Sequence, residues 1–136
     1  MKRYVVVDTN VFVSALLSKN EDAATVQVLN KLADENIVFL YSGAIEAEYR
    51  DVLNRPKFHF DKPSVEYLLK TIKKYGILVN PMPSKATLPD PKDLPFYELV
   101  LANRHEETYL VTGNLKHFLK EPNIVTPREL LNILGK

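Results

Sequence analysis

The stretch Val5-Val6-Val7-Asp8-Thr9-Asn10 constrains the fold of this chain more than any other. Three β-branched residues in a row, with no polar alternation, predict a strand buried on both faces, the pattern of a parallel sheet. The run stops at a carboxylate, followed by two small polar residues and then by Val11 to Leu17, which reads as a helix. Open α/β sheets bind ligands at the carboxyl ends of their strands, and Asp8 falls there. A second reading stays open at this point: Asp8, Thr9 or Asn10 caps the helix by accepting its free N–H groups.

Along the chain, strands alternate with helices. A second helical piece spans Ala23 to Leu32, with Val26, Leu29 and Ala33 at helical spacing and expected on the core. Ile37 to Leu40 is a second buried strand. Ser42-Gly43 opens a helix through Leu53, which Arg55-Pro56 ends because proline forces the residue before it out of the α region. Pro63 to Tyr75 is a further helix, with Pro63 or Ser64 at its start, Gly76 beyond its end, and Lys70, Lys73 and Lys74 on its solvated side. Ile77 to Val79 is a third strand. The section Asn80 to Pro95 holds five of the nine prolines and reads as an extended loop. A helix from Phe96 to about Arg104, a strand at Tyr109 to Val111, a short helix at Leu115 to Leu119, a strand at Ile124-Val125 and a helix from Pro127 to Leu134 complete the chain. This alternation predicts an α/β fold, a three-layer α/β/α sandwich around a central, mostly parallel five-stranded sheet. The unbroken apolar run of the first strand puts it at the centre, in the order 3-2-1-4-5.

At 136 residues the chain is expected to form one domain, residues 1–136, and to bury roughly two-thirds of its unfolded surface. A net charge of +1 argues against gripping nucleic acid by overall charge, so any such grip is local. With no cysteine, disulfides and thiolate metal sites are excluded. Met1-Lys2-Arg3 is basic, but only four apolar residues follow before Asp8 interrupts them. That is too short for a signal sequence, and no run reaches transmembrane length, so the expected address is cytoplasmic, away from membranes.

Polar groups recur at the predicted strand ends or in the helices that follow. Asp8 ends the first strand, Glu48 lies in the helix after the second, Asp93 (with Asp90 nearby) begins the helix before the fourth, and Asn114 follows the fourth in Thr112-Gly113-Asn114. If the strand ends are neighbours, these groups converge on one cleft. Carboxylates packed together repel unless a cation neutralises them. Oxygen ligands without His or Cys suit Mg²⁺ or Mn²⁺, and such a site activates water for in-line attack on a phosphodiester. Each residue has a plainer reading. Glu48 sits at the edge of a helical stripe of Ile45, Tyr49 and Val52, and Glu46 sits equally close to its other edge. Asp93 and Asn114 are both placed to cap helices.

The stretch Val5 to Val11 resembles the first motif of PIN-domain nucleases, a strand followed by Asp-Thr-Asn or Asp-Ser-Ser. Ile45 to Phe58 resembles the second, in which an acid precedes Tyr and Arg-Pro-Lys-Phe closes the helix; that match gives the acidic role to Glu48 rather than Glu46. Asp90 to Phe96 is similar to the third, whose Asp precedes an apolar residue by three, as Asp93 precedes Phe96. Leu110 to Phe118 resembles the last, with Asn114 where Asp is usual after Thr-Gly. Small chains of this kind resemble VapC-like toxins of type II toxin–antitoxin systems. The resemblance implies a Mg²⁺- or Mn²⁺-dependent ribonuclease in which Asp8, Glu48 and Asp93 hold the metal, Asn114 completes the catalytic set, and Thr9, Asn10 and Thr112 orient Asp8 or the bound water. It implies RNA as substrate and a small antitoxin as partner, whose helix would lie against the N-terminal helices around Phe12, Leu16 and Val26; it leaves a homodimer open.

Two rival classes remain. Haloacid-dehalogenase-type phosphatases place Asp-x-Asp after the first strand, but Asn10 stands where the second acid belongs. A receiver-type phosphoacceptor needs paired acids there and a Lys near the last strand, and neither is evident. The other class is a PIN-like module that binds RNA or protein with a weakened metal site, which the missing charge at Asn114 favours.

Overall fold

A computed structural model describes residues 2–80, 88, 93–103, 107–118 and 122–135. Asp90, Arg104, Leu119 and most of the proline-rich section lie outside the described residues.

The element order is β1 (Arg3–Val7), α1 (Thr9–Leu17), α2 (Ala24–Asn30), β2 (Ile37–Tyr41), α3 (Gly43–Leu53), α4 (Lys62–Tyr75), β3 (Ile77–Leu78), α5 (Leu94–Ala102), β4 (Thr108–Val111), β5 (Ile124–Val125) and α6 (Pro127–Leu134). All strand pairs are parallel, in the order β3-β2-β1-β4-β5. Helices flank this sheet to make the expected three-layer α/β/α sandwich, with α5 on β1 and β4, α4 on β2, and α6 on β4 and β5. The central place of β1 follows from its valines: Val5, Val6 and Val7 are all but inaccessible to solvent. Each such side chain contributes about 1.5–3 kcal/mol by burial, which only a strand covered on both faces collects. The edge strand β3 is the opposite case, with Ile77 and Leu78 both about half exposed.

Several element ends differ from the sequence reading for local reasons. The helix α1 starts at Thr9, so Asp8 occupies its N-cap position. The second helical piece breaks at Asn30 into a 3₁₀ turn, Lys31–Ala33, and its buried residue is Val28, while Val26 is only half-buried. In α3 the buried stripe is Ile45, Tyr49 and Leu53, and Val52 lies beside it. The helix α4 begins a residue earlier than Pro63, because Asp61 caps it by accepting from Ser64 N at 3.0 Å. Its end is fixed by a close approach: a Cβ on Gly76 would lie 2.5 Å from the Ile72 carbonyl oxygen and 2.8 Å from that of Phe39. The expected short helix after β4 is a 3₁₀ turn, Leu115–His117. Phe12, expected on a partner-binding face, is fully buried in the core.

A candidate carboxylate cleft at the strand ends

The sheet register brings Asp8 and Thr112 together. Val7 is the partner of Val111, so the next residue of each strand falls side by side. Both positions are pinned by the ladder: Asp8 N donates to the Val111 carbonyl and Thr112 N to that of Val125, each at 2.9 Å. Residues at matched register share a face of the sheet, and their side chains meet. The Thr112 hydroxyl donates to Asp8 Oδ2 at 2.7 Å, in a site where both residues are buried. That hydroxyl in turn accepts from Asn114 N at 3.1 Å. Asp8 makes no side-chain bond to the α1 N-terminus, so it occupies the cap position without acting as a side-chain cap.

The first turn of α1 supplies the next contacts. Thr9 donates its hydroxyl to Glu48 Oε2 on α3, a residue 39 positions away in sequence, so this threonine engages the second acid. Asn10 Oδ1 accepts from Gly113 N at 3.3 Å and ties α1 to the loop after β4. Glu48 is half-buried on the side of α3 that faces α1. Glu46 turns the other way and forms ion pairs with Arg50 at 3.5 Å and Lys73 on α4 at 3.3 Å. The two acids that the helical wheel left equivalent thus face different neighbours, Glu48 towards α1 and Glu46 towards α4.

Asp93 is buried at the N-cap of α5 and makes no side-chain cap bond there. Three residues on, Phe96 packs against Tyr49, with ring centroids 6.1 Å apart. Asn114 does cap: its Oδ1 accepts from Lys116 N at 3.2 Å and starts the 3₁₀ turn. Among the described residues, no three or more His, Cys, Asp or Glu side chains form a ready-made group that could hold a metal. The oxygen donors Asp8, Glu48 and Asp93 nevertheless have the chemistry that a hard divalent ion takes.

One residue of this region escaped the sequence reading, which placed Tyr49 among apolar residues. Its ring is buried, set edge-on to Phe12 at 5.1 Å, and its phenol donates to the carbonyl of Val7. Burial pushes that phenol well above its ordinary range, and the negative charges of Asp8 and Glu48 add to the effect. The phenol therefore stays protonated and serves as a donor. The available signal was its chemistry: a buried tyrosine needs a partner for its hydroxyl.

A family model described as PIN domain matches residues 4–116. The chain belongs to the PIN-domain family. The match runs from β1 into the turn that Asn114 caps, and so takes in all four candidate acid and amide positions. PIN domains are generally nucleases and typically use divalent metals, so this is a nuclease-type fold. Comparison with curated proteins and with solved structures returned no match.

Proposed function

We propose that this PIN domain is a Mg²⁺- or Mn²⁺-dependent endoribonuclease and the toxin component of a toxin–antitoxin pair. The observation that carries the reading is a buried carboxylate, Asp8, at the end of the central strand, held by a hydroxyl from the neighbouring strand. Burying a carboxylate is costly, and a role in holding a cation would account for its place. Asp8, Glu48 and Asp93 would hold the metal. Bound there, it would lower the pKa of a water and offset the charge that builds on the phosphate. The protein's own part is to fix these oxygens in advance: Thr112 holds Asp8, Thr9 holds Glu48, and Asn10 holds the loop that carries Thr112 and Asn114. In the proposed reaction water would attack phosphorus in line, its oxygen bonding phosphorus and its proton passing to solvent, as the opposite ester P–O bond breaks and the leaving oxygen takes up a proton from solvent.

An antitoxin helix has a candidate seat. An apolar groove of about 570 Å³ runs between the N-terminal helices and α4, with Leu16, Leu29, Leu32, Tyr67, Leu68 and Tyr75 among its walls. Phe12 takes no part in it. Among the described residues no helix is long and apolar enough to cross a membrane. We propose the cytoplasm as the address because the proposed substrate, RNA, is there. The deciding experiment incubates purified protein with mixed RNA, with and without Mn²⁺, beside Asp8→Asn. Metal-dependent cutting that the variant lacks is expected; no cutting by either overturns the reading. Co-expression with the protein encoded next door tests the toxin role. Failure to co-purify, together with harmless expression of this chain alone, counts against it.

A second reading, a weakened PIN-like module that binds RNA or protein, rests on Asn114. Its Oδ1 already serves the 3₁₀ turn and it brings no charge to the cleft. RNA binding without Mn²⁺-dependent cutting would favour it.

A further inference from the structure

We propose that Tyr49 is a positioning residue for the carboxylate cleft: through one hydroxyl it fixes the backbone before Asp8 to the helix that carries Glu48. The inference rests on the nuclease reading above and names a residue on which that site depends.

The phenol bonds the carbonyl of Val7, the last residue of β1 and the direct neighbour of Asp8. Tyr49 itself directly follows Glu48 on α3. A single buried hydrogen bond thus couples the two peptide segments that bear the first and second acids. The ring extends the coupling in both directions. On one side it meets Phe12 of α1, three residues after Thr9, whose hydroxyl holds Glu48. On the other it meets Phe96 of α5, three residues after Asp93. Aromatic residues next to, or three positions after, residues of the candidate site therefore meet in one hub.

Packing alone does not call for a hydroxyl here. Phenylalanine would keep the same edge-on contacts, and burying a phenol carries a desolvation cost that only its hydrogen bond offsets. What the hydroxyl adds is a directional tie. Carboxylates that repel one another need such ties to stand close together before a cation arrives. Groups that orient metal ligands from behind affect affinity on the order of 10- to 100-fold when removed.

The test compares wild type, Tyr49→Phe, Tyr109→Phe and Asp8→Asn. Tyr109 is the control phenol: it donates to Glu107, near the start of β4 and outside the proposed site. Mn²⁺ affinity is read by electron paramagnetic resonance of the free ion, alongside kcat and KM on RNA and the melting temperature. Tyr49→Phe is expected to stay folded, to bind Mn²⁺ on the order of 10-fold more weakly or worse, and to lose kcat with KM little changed. Tyr109→Phe is expected to change the melting temperature alone. Wild-type Mn²⁺ affinity and kcat in folded Tyr49→Phe overturn the inference, as does an affinity loss that disappears once the unfolded fraction is subtracted. Failure of the nuclease reading looks different: wild type and Asp8→Asn then bind Mn²⁺ equally poorly and neither cuts RNA. If wild type binds Mn²⁺ but leaves RNA intact, the affinity comparison still decides the role of Tyr49.

Discussion

Replacing Thr112 by valine keeps nearly the same side-chain shape but removes one hydroxyl, and with it the donor to Asp8 and the acceptor for Asn114 N; a double-mutant cycle isolates the first of these. Thr112 is inaccessible to solvent and donates to a buried Asp8 at 2.7 Å, so water cannot readily take the place of the lost donor. A hydrogen bond to a charged group is worth about 1.5–3 kcal/mol, and we expect Thr112→Val to cost about 2 kcal/mol. Unfolding entropy of about 2.1 cal/mol/K per residue over the chain turns this into a fall in melting temperature of about 7 °C. Thr112→Ser keeps the donor and loses one buried methyl group, so it should cost about 1 kcal/mol. Chemical denaturation of both variants gives the comparison. A double-mutant cycle with Asp8→Asn sharpens it. The amide oxygen of asparagine can still accept from Thr112, but without charge, so valine should cost only about 1 kcal/mol in that background. The coupling is then about 1 kcal/mol. A valine variant as stable as wild type, or a coupling near zero, would refute the argument that Thr112 supports the Asp8 carboxylate.

If the proposed nuclease reading holds, wild type should cut RNA with Mn²⁺ and melt higher in its presence, because a metal that binds only the native state stabilises it, and Asp8→Asn and Asp93→Asn should lose both effects. Their metal-free melting temperatures should equal or exceed that of wild type if, as proposed, the acids share one cleft and repel one another there; a marked fall would make these residues structural. Asn114→Asp keeps an acceptor for Lys116 N, so the 3₁₀ turn survives. Calorimetric titration should show tighter metal binding, on the order of 1 kcal/mol, and melting should show a less stable metal-free protein. Away from the cleft, Tyr109 and Arg3 hold the Glu107 carboxyl below its ordinary range. A lowered folded-state pKa means stability that is present above the unfolded value and is lost as pH falls through the folded one. Arg3→Ala should therefore cost less than about 1 kcal/mol at pH 7, because the pair is partly solvated, and the difference should fade on acidification; a difference that persists in acid would refute the sign.

The sheet was legible because its signal is local. Val5 to Val7 can be satisfied only by cover on both faces, and that places β1 centrally before any partner is known. Which helix residues turn inward was less legible. In α3 both Val52 and Leu53 stand at helical spacing from Tyr49, and the choice of Leu53 depends on where the neighbouring elements lie. The cap of α4 shows a different failure. Asp61 stands two residues before Pro63 in a favourable position, but proline and serine at the helix start drew the boundary inward.

The acids and the groups that hold them differ in how sequence encodes them. Asp8 ends a strand and Asp93 precedes Phe96 by three, so spacing itself marks them, whereas Glu48 was singled out from Glu46 only by resemblance to the second PIN motif. Their supports have no such spacing. Thr9 finds Glu48 across 39 residues, and Thr112 finds Asp8 across 104. These distances are set by crossovers whose lengths can change without moving the strand ends. Helical periodicity also reads tyrosine as an apolar residue and ignores the hydroxyl at its tip, which hid Tyr49. A hydroxyl that meets its acceptor only after folding leaves its mark in sequence as an unexplained polar atom on a buried face. Counting such atoms, and asking what each must bond, singles out Tyr49 from the predicted stripe Ile45, Tyr49 and Val52 on sequence alone.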